Sequence, residues 1–410
     1  MADNNVKKFP NGFSWGAATA SYQVEGGIEN TDWAEASREG RVPNCGIACD
    51  HYNRYEADFD IAKSLGHNAH RLSIEWARIE PEEGKFNEEA IEHYRKVLTA
   101  LRVRDITPYV TLWHFTLPLW FSKKGGFEQH DAPKIFARYC AFVVSRLDDL
   151  CLDFSTMNEP NVYGSNGWLR GTWPPFKRLS LMSTISFTNS NETCVGDSCS
   201  FITAIPLYFK VMRHLAQAHN RAYDAIKEVS PDVVVSVVKH VIFFHANWNP
   251  FNKLIAYGAN YFWTYRFMNR VYKKCDTIGL NYYFHRKFGD TETYEKTDMN
   301  WDIYPEGLED SLMMLARYKK PLYVAESGIA DEKDMHRADY ITRQVEALWR
   351  ALQRGADVRG HMYWSLLDNY EWALGFEKRF GLIEVNYKTQ KRTIRPSAYI
   401  YKQICENNAL

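Results

Sequence analysis

Short apolar runs alternate with longer amphipathic ones along this chain, and that alternation leaves few folds open to it. Candidate strands lie at 13–19, 68–76, 106–114, 153–159, 233–240, 277–283, 321–327 and 358–366. Segments of helical periodicity follow them, as at 87–105, 131–150, 206–229 and 335–354. Eight β-then-α units with no second pattern predict an α/β fold of one kind, a closed parallel (β/α)8 barrel (TIM barrel) rather than a doubly wound sheet. No Pro/Gly/Ser-rich linker interrupts residues 1–410, so one barrel domain is expected.

Charge narrows the partners. Fifty basic and fifty acidic side chains cancel, so the basic excess of a nucleic-acid binder is missing. No apolar run is long enough to span a membrane, and no membrane partner is expected. The N-terminal stretch MADNNVKKFPNGFSW has no secretory apolar core. The eight cysteines are therefore expected as mostly free thiols in a reducing, cytoplasmic setting, with Cys45/Cys49 and Cys194/Cys199 the pairs close enough in sequence to bond. Cys45/Cys49 and Cys194/Cys199 lack the second pair or the histidines that zinc requires, so no metal or other cofactor is expected. Aromatic residues reach 15%, which suits either a large aromatic core or a site that stacks flat rings against sugars.

The chemistry gathers at one end of the strands. In such a barrel the active groups project from the C-terminal strand ends, and these carry His114, Asn158-Glu159, Tyr283, Glu326 and Trp364, over strand interiors that read as apolar. Glu159 and Glu326 end the fourth and seventh candidate strands and should face each other across the mouth. Paired carboxylates suit glycoside hydrolysis, where one protonates the leaving oxygen and the other attacks the anomeric carbon or activates water. Taken alone, either glutamate is better read as a salt-bridge partner. Arg71 is a strand arginine expected to point inward, and a buried guanidinium needs a carboxylate partner. Tyr283 offers that carboxylate a hydrogen bond, and Asn158 offers an amide to a sugar hydroxyl or to the nucleophile.

From FPNGFSWGAATASYQVEGG at 9–27 to YWSLLDNYEWALGFEKRFGLIEVNY at 363–387, the chain resembles family 1 of the glycoside hydrolases, the β-glucosidase/β-galactosidase family. Thr156-Met157-Asn158-Glu159-Pro160 is similar to the family's acid/base motif, and Val324-Ala325-Glu326-Ser327-Gly328 to its nucleophile motif. The resemblance implies a retaining hydrolase acting on terminal β-glucosyl, galactosyl or fucosyl residues, with Glu159 as acid/base and Glu326 as nucleophile. It implies sugar-hydroxyl contacts at Gln23, His114, Asn158, Glu371 and Trp372, a stacking platform at Trp364 and a pocket wall at Phe380. Arg71, Asn281 and Tyr283 match the groups around the nucleophile. The expected partner is a small β-glycoside or oligosaccharide, with a homo-oligomer left open. A non-catalytic sugar binder and a transglycosidase remain alternatives; the first is disfavoured because both carboxylates are present.

Departures from the family pattern also set expectations. Ser327 stands where the family usually has Asn. The segments 244–275 and 284–300 read as shortened loops at the mouth, and 177–203 reads as a flexible loop that carries a glycosylation sequon at Asn191. Residues 243–272 are dense in aromatics; they read as a helix packed on the barrel or as a surface open to a flat apolar ligand or aglycone.

Overall fold

The computed structural model describes residues 6–179, 198–199, 201–289 and 292–410. Eight strands close a parallel barrel: β1 (Ser14–Ala18), β2 (Ala69–Ser73), β3 (Thr107–Thr111), β4 (Asp153–Asn158), β5 (Val234–Ala246), β6 (Thr277–Phe288), β7 (Leu322–Ser327) and β8 (Val358–Trp364). Each pairs with its successor, and β8 returns to β1 with Ser14 opposite Gly360 and Ala18 opposite Trp364. A small antiparallel hairpin, β9 (Ile383–Asn386) with β10 (Lys391–Ile394), follows the barrel. The eight-unit alternation in the sequence thus corresponds to the observed barrel.

The helices form where local signals agree. In Glu88–Arg102 the Asn87 side chain accepts from the Glu89 and Ala90 amides, and two glutamates occupy the positive end of the helix dipole. Ala90, Ile91, Tyr94, Val97, Leu98 and Leu101 then fall on one face and are buried. Helices at Ala132–Leu147, Phe201–Val229 and Arg337–Gln353 match three further periodic segments. The 177–203 segment, with its sequon, lies largely outside the described residues.

Two readings of the sequence need correction. The barrel interior is not wholly apolar: Ser155, Ser236 and Tyr323 share hydrogen bonds of 2.7–3.2 Å across it. A hydroxyl layer is tolerated there because its members satisfy one another. Likewise, of the segments read as shortened loops, 244–275 is largely regular structure and 284–300 is strand as far as Phe288. β5 and β6 run on past the barrel as a paired ribbon, with Phe243 opposite His285 and Ala246 opposite Phe288. Helices Pro250–Asn260 and Arg266–Val271, joined by a π-helical turn at Tyr261–Tyr265, fill most of the first segment.

Glycine permits one close approach that matters for the mouth. A Cβ on Gly328 would lie 1.8 Å from the Trp364 carbonyl oxygen, so only glycine lets the chain after β7 pass the end of β8. Gly258, in a helix, has nothing within 4 Å of the same atom. Gly328→Ala should therefore destabilise the fold by at least about 2 kcal/mol. Gly258→Ala should be neutral or stabilise by up to about 1 kcal/mol, the helix-propensity difference. Urea denaturation of the two variants side by side checks both signs.

Candidate active site

The site is built on backbone irregularities as much as on side chains. The β4–β5 register shifts between Ser155 and Asn158, and the β6–β7 register shifts between Leu280 and Asn281. Such bulges re-aim side chains locally, and both fall beside polar residues of the mouth. Glu159 itself sits at φ 42°, ψ 57°, a left-handed conformation that is costly for a non-glycine residue. It is held there as the residue that opens helix Pro160–Trp168, its amide donating to the Val238 carbonyl at 2.9 Å.

Arg71 is the hub. Its guanidinium is 1% exposed and reaches three other strands. It donates to Thr111 Oγ1 on β3 at 3.0 Å, to Asn158 Oδ1 on β4 at 2.9 Å and to Glu326 Oε1 on β7. Tyr283 OH donates to the other oxygen of Glu326 at 2.7 Å. Burial and the neighbouring carboxylates raise the Tyr283 phenol, which keeps its proton. Glu326 thus accepts a guanidinium on one oxygen and a phenol on the other.

Glu159 has the opposite surroundings. Its one side-chain hydrogen bond comes from Asn281 Nδ2 at 2.7 Å. Burial, then the charge of Glu326, pushes its pKa above the usual carboxylate range, against smaller opposing effects from Asn281, Arg71 and Lys239. The two glutamates are linked by a hydrogen-bonded chain. Glu326 meets Arg71, Arg71 and Asn281 both donate to Asn158 Oδ1, and Asn281 donates to Glu159.

The remaining residues picked from the sequence gather around this pair. The Asn158 amide donates to His114 Nε2 at 3.2 Å, which leaves the proton of the neutral ring on Nδ1. Burial, then Arg71, keeps that ring neutral. His114 lies between two indoles, 6.0 Å from both Trp364 and Trp372 and within 16° of parallel to each. Gln23 donates to Asn369 Oδ1 and to the Tyr370 carbonyl. Burial and then Glu326 push the Glu371 carboxyl up to about 8. Phe380 packs 6.1 Å from Tyr283. Gln23 Oε1, His114 Nδ1 and Asn281 Oδ1 are buried with no protein partner. Orphaned polar atoms cost about 1–3 kcal/mol each, and those on His114 and Asn281, both bonded to Asn158, are open to a polar ligand. Among the described residues no His/Cys/Asp/Glu group is arranged to hold a metal ion.

Ser327 turns away from this cluster. It is bonded to Gln344 and lies 2.8 Å from His361 Nε2, so the departure from the family's Asn is absorbed behind the barrel wall. The sequence reading missed several residues at the mouth. Trp301 lies 5.7 Å from Tyr283 and 5.0 Å from Phe284. His240, with Nδ1 unpartnered, faces Tyr283 at 6.1 Å. Buried Lys239 donates to the His240 carbonyl at 2.9 Å and lies 5.5 Å from the Trp263 ring. A lysine in the apolar run VVVSVVKH was the available signal for Lys239; Trp301 lies outside any periodic element and carried none.

The family model described as "Glycosyl hydrolase family 1" matches residues 5–247 and 252–410. "Beta-glucosidase A" of Thermotoga maritima is 32% identical, over 99% of each chain. "Beta-galactosidase" of Saccharolobus solfataricus is 30% identical, over 98% of this chain and 96% of the relative. Among solved structures, "beta-glycosidase from Pyrococcus horikoshii" superposes with TM-score 0.86 at 35% identity, covering 99% of this chain and 96% of the other. "Beta-glucosidase from Thermotoga maritima in complex with glucoimidazole" gives 0.88 at 31%, covering 99% and 100%.

Removing the hub should show in stability. Arg71→Met leaves Glu326 buried without its cation, and this should cost roughly 3–5 kcal/mol. The exposed Arg95–Asp149 pair is the control; Arg95→Met should cost less than about 1 kcal/mol. Equal losses for the two variants in chemical denaturation would refute the hub.

Proposed function

The chain belongs to glycosyl hydrolase family 1, and we propose that it is a retaining β-glycosidase in which Glu326 is the nucleophile and Glu159 the acid/base. The substrates are small glycosides with a terminal non-reducing β-glucosyl, galactosyl or fucosyl residue. The observation that carries this reading is the unequal treatment of two buried carboxyl groups. Glu326 receives Arg71 and Tyr283, whereas Glu159 is pushed toward its protonated form. That division suits attack by one and proton donation by the other.

The glycone enters against Trp364, whose indole offers a stacking face. Gln23 Oε1, His114 Nδ1 and Asn158 meet its hydroxyls, with Glu371 and Trp372 on the far side and Phe380 as the wall. Glu326 attacks the anomeric carbon while Glu159 gives its proton to the departing oxygen. The resulting ester removes the charge of Glu326, the second-largest cause of the raised Glu159 pKa. Glu159 then becomes more acidic at the step where it must accept a proton from water. Glu326 leaves as the carboxylate, which Arg71 and Tyr283 stabilise. Six cysteines are buried free thiols, which supports a reducing, cytoplasmic setting; the side chains of Cys194 and Cys199 lie outside the described residues.

The roles separate under substitution. Glu326→Ala should lower turnover of every substrate by roughly 10⁴-fold or more. Glu159→Ala should still form the intermediate from a dinitrophenyl glycoside, whose leaving group needs little protonation, and then stall. Azide should restore its turnover and yield the β-glycosyl azide, the product of two inversions. A β-azide from Glu326→Ala, with Glu159→Ala unresponsive, would reverse the assignment.

The pH profile supplies a second test. Glu159 must be protonated for bond cleavage, so kcat/KM falls as pH rises through its raised pKa. The Asn281 hydrogen bond favours the ionised form. Asn281→Ala should therefore move the alkaline limb upward, by about one pH unit. A downward move would mean that Glu159 does not set that limb.

A further inference from the structure

Helix Pro250–Asn260 is built inside out. Asn260 faces the protein, exchanging hydrogen bonds with the Phe244 backbone, and Ala256 is buried. The opposite face carries Phe251, Leu254, Ile255 and Gly258, at spacings of three and four that place them on one stripe. Phe251 is 67% exposed, Leu254 65% and the flanking Tyr257 68%, and Trp248, just before the helix, is 83% exposed. Single exposed apolar residues are ordinary, but a contiguous aromatic and aliphatic stripe marks a surface that meets something. The family match breaks at 248–251, so the patch begins where this chain departs from the family pattern.

Charge decides what it meets. No acid stands between Asp232 and Asp276, whereas Lys239, Lys253, Arg266, Arg270, Lys273 and Lys274 do, and of these Lys253 lies on the helix Pro250–Asn260. Lys253, on the helix itself, is exposed, and the helix whose Phe209 packs against Phe262 adds exposed Lys210 and Arg213. On the adjoining ribbon Glu292 pairs with Lys287. We propose that this face docks on an anionic lipid bilayer, the aromatic stripe lying in the headgroup region with the basic residues at its margin. Trp, Tyr and Phe with lysine and no acid is the composition of a helix lying in that interface. A second copy of the chain is a poorer occupant, because a twofold contact would set the same basic margin against itself. The sequence argument against a membrane concerned spanning. Among the described residues no helix is long and apolar enough to cross one, and a helix lying on the surface has no need to be.

The placement has a consequence for access. β5 carries His240 at the mouth and then continues directly to Ala246 and the helix, so a docked patch holds the barrel mouth close to the bilayer. The test uses the whole chain and co-sedimentation with vesicles of equal phosphatidylglycerol and phosphatidylcholine, or of phosphatidylcholine alone. The native protein should pellet with the anionic vesicles, less with the neutral ones, and less as salt rises. The double variant Phe251→Asp/Leu254→Asp should weaken binding at least tenfold, with unchanged melting and unchanged turnover of a soluble aryl glycoside. Absence of native binding overturns the proposal, as does binding that the variant leaves intact. A native oligomer that the variant splits, without vesicle binding, assigns the patch to a second copy and also overturns it.

Discussion

One buried guanidinium organises the centre of this molecule. Arg71 sits almost fully enclosed and holds Thr111, Asn158 and Glu326 at once. Those partners belong to β3, β4 and β7, so a single side chain ties the registers of non-neighbouring strands. An arginine out of water must satisfy its donors and its charge together. The strands around it are therefore fixed by an electrostatic requirement as well as by apolar packing. The hydroxyl layer of Ser155, Ser236 and Tyr323 continues this polar axis through the barrel.

The chemistry follows from how that one positive charge is shared. Glu326 contacts it directly, whereas Glu159 is linked to it by hydrogen bonds through Asn158 and Asn281 and feels its charge only as a smaller effect. In a poorly solvated site a carboxyl group without a cation retains its proton, and the charge of its neighbour reinforces the effect. Glu371 responds in the same way. The site also keeps polar atoms that no protein group satisfies, at Gln23, His114 and Asn281. Such atoms lower stability in isolation and become useful when a polyhydroxyl ring supplies the missing hydrogen bonds.

The periphery obeys a different logic. Barrel closure and the ion pair settle the core, so the chain beyond the strand ends is free to vary. Here β5 and β6 use that freedom to build a ribbon, and the helix after it turns its apolar face outward. The aromatic density of residues 243–272 is thus divided. Phe267 packs inward, while Trp248, Phe251 and Tyr257 face solvent.

The sequence by itself determined the barrel, because eight β-then-α periods admit one closed parallel arrangement. It also singled out the candidate residues of the site, because motifs around Glu159 and Glu326 fall at strand ends, which in a barrel share one face. Tertiary structure alone decided how those residues are aimed. The bulges before Asn158 and Asn281 and the left-handed backbone of Glu159 depend on register between strands distant in sequence. The polar layer inside the barrel was equally hidden, since Ser155 and Tyr323 find each other only after closure. The outward face of helix Pro250–Asn260 could not be read from periodicity, which reports that a helix has an apolar side but not which side its neighbours cover. That choice belongs to contacts made across the fold, here to Asn260 and the Phe244 backbone.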